Sequence, residues 1–496
     1  MDIPVPSWRP DRAPIGDYSR LINNVVREVV NSVSPLQALA AVTEALALRC
    51  QGAFSGRATD GTVRTFAFDA DDAYYLDPTD STQWINATRT VGGDYTTADD
   101  DFWNGEKYGD LALFVNGADA PQKFDITTAT NLSVLAGSPP VAHDIAIWDD
   151  YVVLAEVDPN NRLQWSGTDD PESWTVGVAN SDVRQFGDGG RIVKLTGGRQ
   201  KLVLQETMIR RATNVGGTDI FQLNVISTDR GCAAAGSVAS YQDLVFFLAE
   251  DGFFEISDAG LKSIGEQAVD NEFWSTVNRS FLYRIVASID PRHKLYKICY
   301  PTLDSADGTP NRMLIYNWAL GEWTPSDGYE VEMFRRIMTG TGLTLEALDA
   351  LYPGGLESIP LSLDSPAFAS TPERTLAAFN TSHQMGLFDG PVLEATIASP
   401  KGQLIPGYKA KIQAVRDICD GGETSECTAK IAVHDDKLSD AERLTATVTQ
   451  RDTGRYPFAA KRTKGRYHAI VSYRAAGSDW SNFQGWDVDA VRAGKR

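Results

Sequence analysis

Between Gly190 and Gly265 one phrase is written twice, and it limits the possible folds more than any other stretch of the chain. An apolar run (Lys201–Gln205, then Leu244–Leu248) is followed by a polar turn and a second run (Met208–Ala212, then Gly252–Ile256). A third run closes each copy (Ile220–Ile226, then Leu261–Ile264). The runs favour strands, and the Gly, Asp and Asn between them tolerate the positive φ of tight hairpins. A four-stranded unit repeated along a chain predicts a β-propeller.

The same rhythm extends in both directions. LALRCQGAFSG, TVRTFAFDA, DAYYLDP and QWINATRT supply four runs between Leu46 and Thr90; DFWNG, YGDLALFVNG, PQKFDI and NLSVLA supply four more. AHDIAIWD, DYVVLAEV, RLQWSG and SWTV form a third set, and LYRIVASID, HKLYKICYP, RMLIYNWA and GEWTPSD a sixth that ends near Asp327. Second-strand positions Phe66, Leu113, Val153, Val203, Val245 and Tyr296 recur every ~40–50 residues, the length of a propeller blade. LALFV, YVVLA and LVFFL are apolar on both faces, as expected of strands buried between neighbouring blades. The reading is an all-β protein with a propeller of about six blades over residues 46–327, seven staying open because the register is lost past Asp327.

Residues 1–45 open with Pro4, Pro6, Pro10 and Pro14 and read as an extended arm. Leu36–Leu48 is rich in Ala and Leu and has helix propensity. Residues 328–384 read as a connector. It carries leucines at helical spacing (Leu343, Leu345, Leu348, Leu351), stopped by Pro353-Gly354. Six alternating runs over residues 385–496 predict a C-terminal antiparallel β-sandwich.

Charge divides along the chain. Residues 401–496 hold 17 Lys/Arg against 12 Asp/Glu, whereas residues 1–400 hold 29 against 54. So acidic a body disfavours a grip on phosphate backbones. No window holds ~18 consecutive apolar residues, so no membrane insertion is expected. The opening MDIPVPSWRPDR lacks a secretory pattern, so folding in a cytoplasm is expected. The five cysteines (Cys50, Cys232, Cys299, Cys419, Cys427) are too scattered for a disulfide framework and read as buried small hydrophobes. Cys419 and Cys427 flank a DGGETSE turn and are the one pair that could bridge a hairpin.

Catalytic motifs are missing. The sequence has no Gly-Lys-Ser/Thr phosphate loop, no His-Glu-x-x-His and no Gly-x-Ser-x-Gly elbow. His143, His293, His383, His434 and His468 are isolated. His434-Asp435-Asp436 resembles metal ligands, but adjacent strand residues point to opposite faces, which favours a polar turn. Asp158–Asn161 and Asp304–Asp307 lack the ligand spacing of a calcium loop. A glycosidase would need two carboxylates across a cleft. Ser166–Trp174 faintly resembles a sialidase blade turn, which is structural in any case. Trp165, Trp174, Trp318 and Trp323 lie at strand ends and are expected to pack between blades rather than stack on sugar. No catalytic residue, cofactor site or metal site is assigned.

RIVKLTGGRQKLVLQETMIRR, TDRGCAAAGSVASYQDLVFFLAEDGFFEIS and LKSIGEQAVDNEFW together resemble the packaged-DNA stabilisation proteins of short-tailed bacteriophages and related prophages. WSGTDDPESWT and GTPNRMLIYNWALGEWT belong to the same pattern, and the resemblance runs from about Cys50 to the C-terminal strands. It implies a structural tail hub or nozzle in the virion tail, assembled in the host cytoplasm as a ring, usually homohexameric, below the portal and its adaptor. It further implies spike, fibre or plug proteins as partners, and double-stranded DNA retained and then conducted without sequence-specific binding. It also implies a propeller with an added β domain, and makes the C-terminal part of Leu36–Leu48 a strand. The alternative reading is a propeller carbohydrate-active enzyme or lectin acting on host surface glycan.

Overall fold

The computed structural model describes residues 1–12, 18–217, 219–338, 374–420, 427–434, 444–449, 456–457 and 464–494. Seven four-stranded antiparallel sheets dominate it. Blade one is Gly52–Arg57, Val63–Phe68, Ala73–Leu76 and Trp84–Asn86; blade two is Asn104–Tyr108, Leu111–Val115, Gln122–Asp125 and Ser133–Val134. Blade three is Ala142–Trp148, Tyr151–Glu156, Arg162–Trp165 and Asp182–Gln185. The repeated phrase forms blades four (Ile192–Thr196, Leu202–Gln205, Ile209–Asn214, Phe221–Ser227) and five (Ala239–Tyr241, Leu244–Ala249, Gly252–Ser257, Gly260–Ser263). Blade six is Val286–Asp290, Leu295–Tyr300, Arg312–Asn317 and Glu322–Ser326.

A seventh blade settles the count left open between six and seven, and it moves the expected boundaries of the propeller. Met333–Met338, Arg374–Phe379 and Gln384–Leu387 form three of its strands, and Ala40–Ala45 from the arm pairs antiparallel with Gln384–Leu387 as the outermost one. The propeller thus runs from residue 40 to residue 387, taking in both ends of the expected connector. Its period was hidden because the chain between its first two strands spans residues 339–373. From Tyr296 the next second-strand position is Ala377, about twice the usual spacing. The helix expected around Leu343–Leu351 lies outside the described residues.

The Ala/Leu-rich stretch is a strand and not a helix because blade seven offers an edge whose backbone groups need partners. Thr43 fixes it there: its Oγ1 accepts from the Trp84 indole (3.1 Å) and from the Met385 amide (3.1 Å). First strands line up around the axis, and that of blade seven packs against that of blade one. The seam is closed by Thr65 Oγ1 donating to Met338 O (2.8 Å) and Cys50 N donating to Glu332 Oε2 (3.0 Å).

Second strands are buried on both faces, as in Tyr151–Glu156, Leu202–Gln205 and Leu295–Tyr300. Aromatic clusters fill the gaps between blades. Phe66, Phe68, Trp103, Phe114 and Phe124 lie between the first two, with Phe68 stacked on Trp103 at 4.6 Å. Phe221 meets Trp148, Tyr151 and Trp165 edge-on between blades three and four.

All six C-terminal runs are strands. Ala410–Asp420 and Ser481–Arg492 pair in one sheet, joined by Asp2–Pro4 of the arm; Ala395–Ala398, Cys427–His434, Leu444–Thr449 and Tyr467–Arg474 lie in a second, joined by Ile22–Asn23. The two sheets meet through the Trp486 indole donating to Ser472 Oγ (2.8 Å) and Arg474 on Asp417 (2.8 Å). One buried cluster continues from blades five and six through Val5, Trp8, Ile22 and Val25 into these sheets. The arm is therefore the stitching between the propeller and the C-terminal sheets. Among the described residues no helix is long and apolar enough to cross a membrane.

Candidate functional site

Charged side chains gather where the first strands of blades two, three, four and seven line the propeller axis. Lys194 of blade four donates to Asp144 Oδ1 of blade three (2.6 Å) and to Asn104 Oδ1 of blade two (2.7 Å). β-bulges displace both strands there, between Ala142 and Asp144 and between Ile192 and Lys194, and aim these side chains inward. Asp144 is sealed in, also accepting from Leu195 N (2.5 Å).

Glu106, two residues beyond Asn104, shares its strand face. Burial pushes its carboxyl up to about 7; Lys194 pulls it back and Asp144 adds to the rise. From blade seven, the Arg335 guanidinium donates to Ala287 O (3.4 Å), and burial lowers its pKa. An axial cluster of both signs, with a carboxyl that gains its proton near neutrality, can bind a polar solute or hold the blades in register. The only trace of it in the sequence is charge inside short first strands, Glu106 and Lys107 in NGEKY and Lys194 in IVKLT.

Residues singled out in the sequence mostly serve packing. Trp165, Trp174 and Trp323 are buried, and their indoles donate to Asn180 O, Pro171 O and Ile264 O. Trp318 packs over Phe246 at 5.6 Å. The Ser166–Trp174 turn is held by Gly167 N donating to Ser173 O (2.7 Å) and is pinned to blade two by Glu172 on Lys123. Asp307 caps its own turn through Thr309 and Ser305.

The histidines stay apart in function. His143 Nε2 bonds to Ile192 O, His293 to Asp290 (2.9 Å), and His383 to Glu332 (2.8 Å). His434 and His468 are buried in the C-terminal sheet; Asp435 and Asp436 lie outside the described residues. Cys50, Cys232 and Cys299 are buried, and desolvation raises each thiol, which removes nucleophilic character. Cys419 is a free thiol touched by Arg474; the side chain of Cys427 lies outside the described residues. No group of three or more His, Cys, Asp or Glu with metal-holding geometry occurs among the described residues.

Comparison with protein families and with curated proteins finds no match. Solved structures resemble the chain at low scores. They include an extracellular domain of a one-component system from B. thetaiotaomicron (TM-score 0.41, 10% identity, 86% of this chain and 49% of that one). The Neurospora crassa Pan2 WD40 domain follows (0.39, 5%, 71% and 94%), as does BamB from Moraxella catarrhalis (0.34, 9%, 63% and 87%). The chain spans about half the length of the first of these. Scores this low carry no functional argument.

Proposed function

We propose that the chain is a structural component of a phage tail hub or nozzle, forming a ring below portal and adaptor that retains packaged DNA and conducts it at ejection. The observation that carries the reading is that charge follows architecture. The acidic 54-against-29 excess belongs to residues 1–400, most of them propeller, and the basic 17-against-12 excess to residues 401–496, where most of the C-terminal strands lie. A wall that repels phosphate lets a duplex slide, and a basic module suits an acidic neighbour. The C-terminal sheets, taken as a β-sandwich, would make that contact, with the adaptor or with a spike, fibre or plug protein. The propeller would face the lumen or solvent.

Imaging the chain assembled with its portal and adaptor tests this. A ring with an acidic or neutral bore and residues 386–496 against a partner is expected. A strongly positive bore would sink the conduit, and C-terminal sheets touching nothing would sink the docking role.

Glu106 is the one observation favouring a glycan-directed enzyme, since a carboxyl protonated near pH 7 suits a general acid. Its neighbour Asp144 is sealed by Lys194 and Leu195 N and poorly placed to act on substrate. Turnover of a surface glycan that is lost in Glu106→Gln, with the fold retained, would establish that alternative over the hub.

A further inference from the structure

Blade four differs from the others at its rim. Its outermost strand, Phe221–Ser227, is seven residues long and reads FQLNVIS, without a charge, a proline or a glycine. A strand edge is a row of backbone groups open to another strand, and proteins blunt such edges by shortness, charge or cover. Each other blade uses one of these devices. The outer strands of blades one and two have only three and two residues. Blade three carries Asp182 and Arg184 on its edge, and blade five Lys262. The arm covers the edge of blade six, where Asn24 N donates to Pro325 O (3.1 Å). On blade seven Glu44 lies in the edge strand, and its amide donates to Thr82 O (2.8 Å).

At the hairpin of blade four, Val215 N donates to Ile220 O (3.0 Å), so the bonded pairs alternate from there through Gln222 and Asn224. The N–H and C=O of Phe221, Leu223 and Val225 therefore point outward, where no described strand pairs with them. Their side chains share one face. Leu223 packs against the cluster between blades three and four, and Val225 is 48% exposed. Beside them runs a groove of about 470 Å³ lined by the buried Phe186 and Phe221. Its exposed charges are one of each sign, Arg184 and Asp219; Arg210, the other charged group there, is paired with Asp188.

We propose that this edge pairs with the same edge of a second copy of the chain, antiparallel about a two-fold axis at Asn224. The strand is self-complementary in that register. Leu223 of each copy lies opposite Val225 of the other, Asn224 opposite Asn224, and no like charges meet. Each Leu223–Val225 pair exchanges two N–H···O bonds, and the valine covers the groove beside Leu223. Two four-stranded blades then form one continuous sheet. A foreign strand could satisfy the same backbone groups, but the side chains call for an uncharged strand with apolar residues two apart, and FQLNVIS is itself such a strand. Two-fold pairing is isologous, unlike the head-to-tail contacts of a ring, so the inference does not rest on the tail-hub reading.

Sedimentation velocity of the full chain from ~1 to ~100 μM is expected to show a reversible monomer–dimer equilibrium. The dimer should persist at ~0.5 M NaCl, since no ion pair holds it. Amides of residues 221–227 should exchange about tenfold more slowly in the dimer than in the dilute chain. Val225→Lys puts a charge on the edge, and Val225→Pro removes an outward N–H that the blade's own ladder does not use. Each should raise the dissociation constant about tenfold or more. Val134→Lys, on the edge of blade two and equally exposed at 48%, should leave it unchanged. Should Val225→Pro fail to fold, Val225→Lys at an exposed position still decides the question. The pairing is overturned by a chain that stays monomeric throughout, by a dimer that dissolves in ~0.5 M NaCl, or by any assembly that survives both Val225 substitutions. Those results leave the hub reading, tested on the portal complex, where it stands.

Discussion

Asp270 shows how tightly single residues are set into this scaffold. It opens the helix Asp270–Thr276 and turns its carboxylate back to accept from Phe253 N (3.0 Å). Two glycines leave room for it: a Cβ on Gly252 would come within 2.3 Å of the carboxyl group, and one on Gly265 within 1.9 Å. Gly265→Ala is therefore expected to cost about 1–3 kcal/mol by overpacking, read from urea denaturation. Burial, with Asp11, Asp251 and Glu266 nearby, pushes the Asp270 carboxyl from its ordinary 3.8 up to about 7, and Glu106 rises from 4.5 to about 7. Below their ordinary values both groups are protonated in folded and unfolded chains alike. Between about pH 4 and 7 the folded chain holds protons that the unfolded chain has released, so their contribution to stability falls as pH rises and levels off above 7. Asp270→Asn and Glu106→Gln should thus each flatten the loss of stability from pH 5 to pH 8. Urea midpoints at the two pH values check this, and an unchanged slope would mean that the carboxyl concerned titrates normally.

Elements are coupled by a few buried polar ties, and these decide how the C-terminal sheets behave. Arg474 and Asp417 form an ion pair with side chains 1% and 3% exposed, one on each sheet, with Ser472 Oγ also donating to Asp417 (2.9 Å). Removing the arginine leaves a carboxylate buried with less compensation, so Arg474→Met should cost about 3–5 kcal/mol. The double variant Arg474→Met/Asp417→Leu should recover much of that in chemical denaturation. Ties of this kind were invisible in the sequence, because nothing in DIC or SYRA says that residues 417 and 474 meet. The blades were legible, because hairpin turns such as Asp60-Gly61 and doubly apolar runs such as YVVLA are local signals. Blade seven was not, since its strands lie on both sides of residues 339–373 and its last strand comes from residues 40–45. Helix propensity in Leu36–Leu48 lost to the ladder with Gln384–Leu387 for the same non-local reason. The axial cluster escaped because a bulge, not a motif, turns Lys194 and Asp144 inward.

At the scale of the whole molecule, net charge sets what can approach. The chain carries −20 overall, but its basic excess is confined to residues 401–496. Exposed charges further apart than ~10 Å are largely screened at 0.1 M salt, so a duplex would feel mainly the surface nearest to it. Two outcomes can then be separated. If the C-terminal basic groups face a protein neighbour, a free chain offers DNA too few clustered cations, and it should not retard a duplex in a gel even at 0.05 M salt. If those groups instead form a phosphate-binding surface, retardation should appear at 0.05 M and vanish by 0.3 M, because each released counterion steepens the salt dependence. The tail-hub reading expects the first result. It further expects Lys411→Glu with Arg466→Glu, both on the C-terminal sheet region, to abolish docking on an acidic neighbour without lowering Tm by more than a degree or two. Retardation that these two reversals remove would place DNA, and not protein, on the basic sheets.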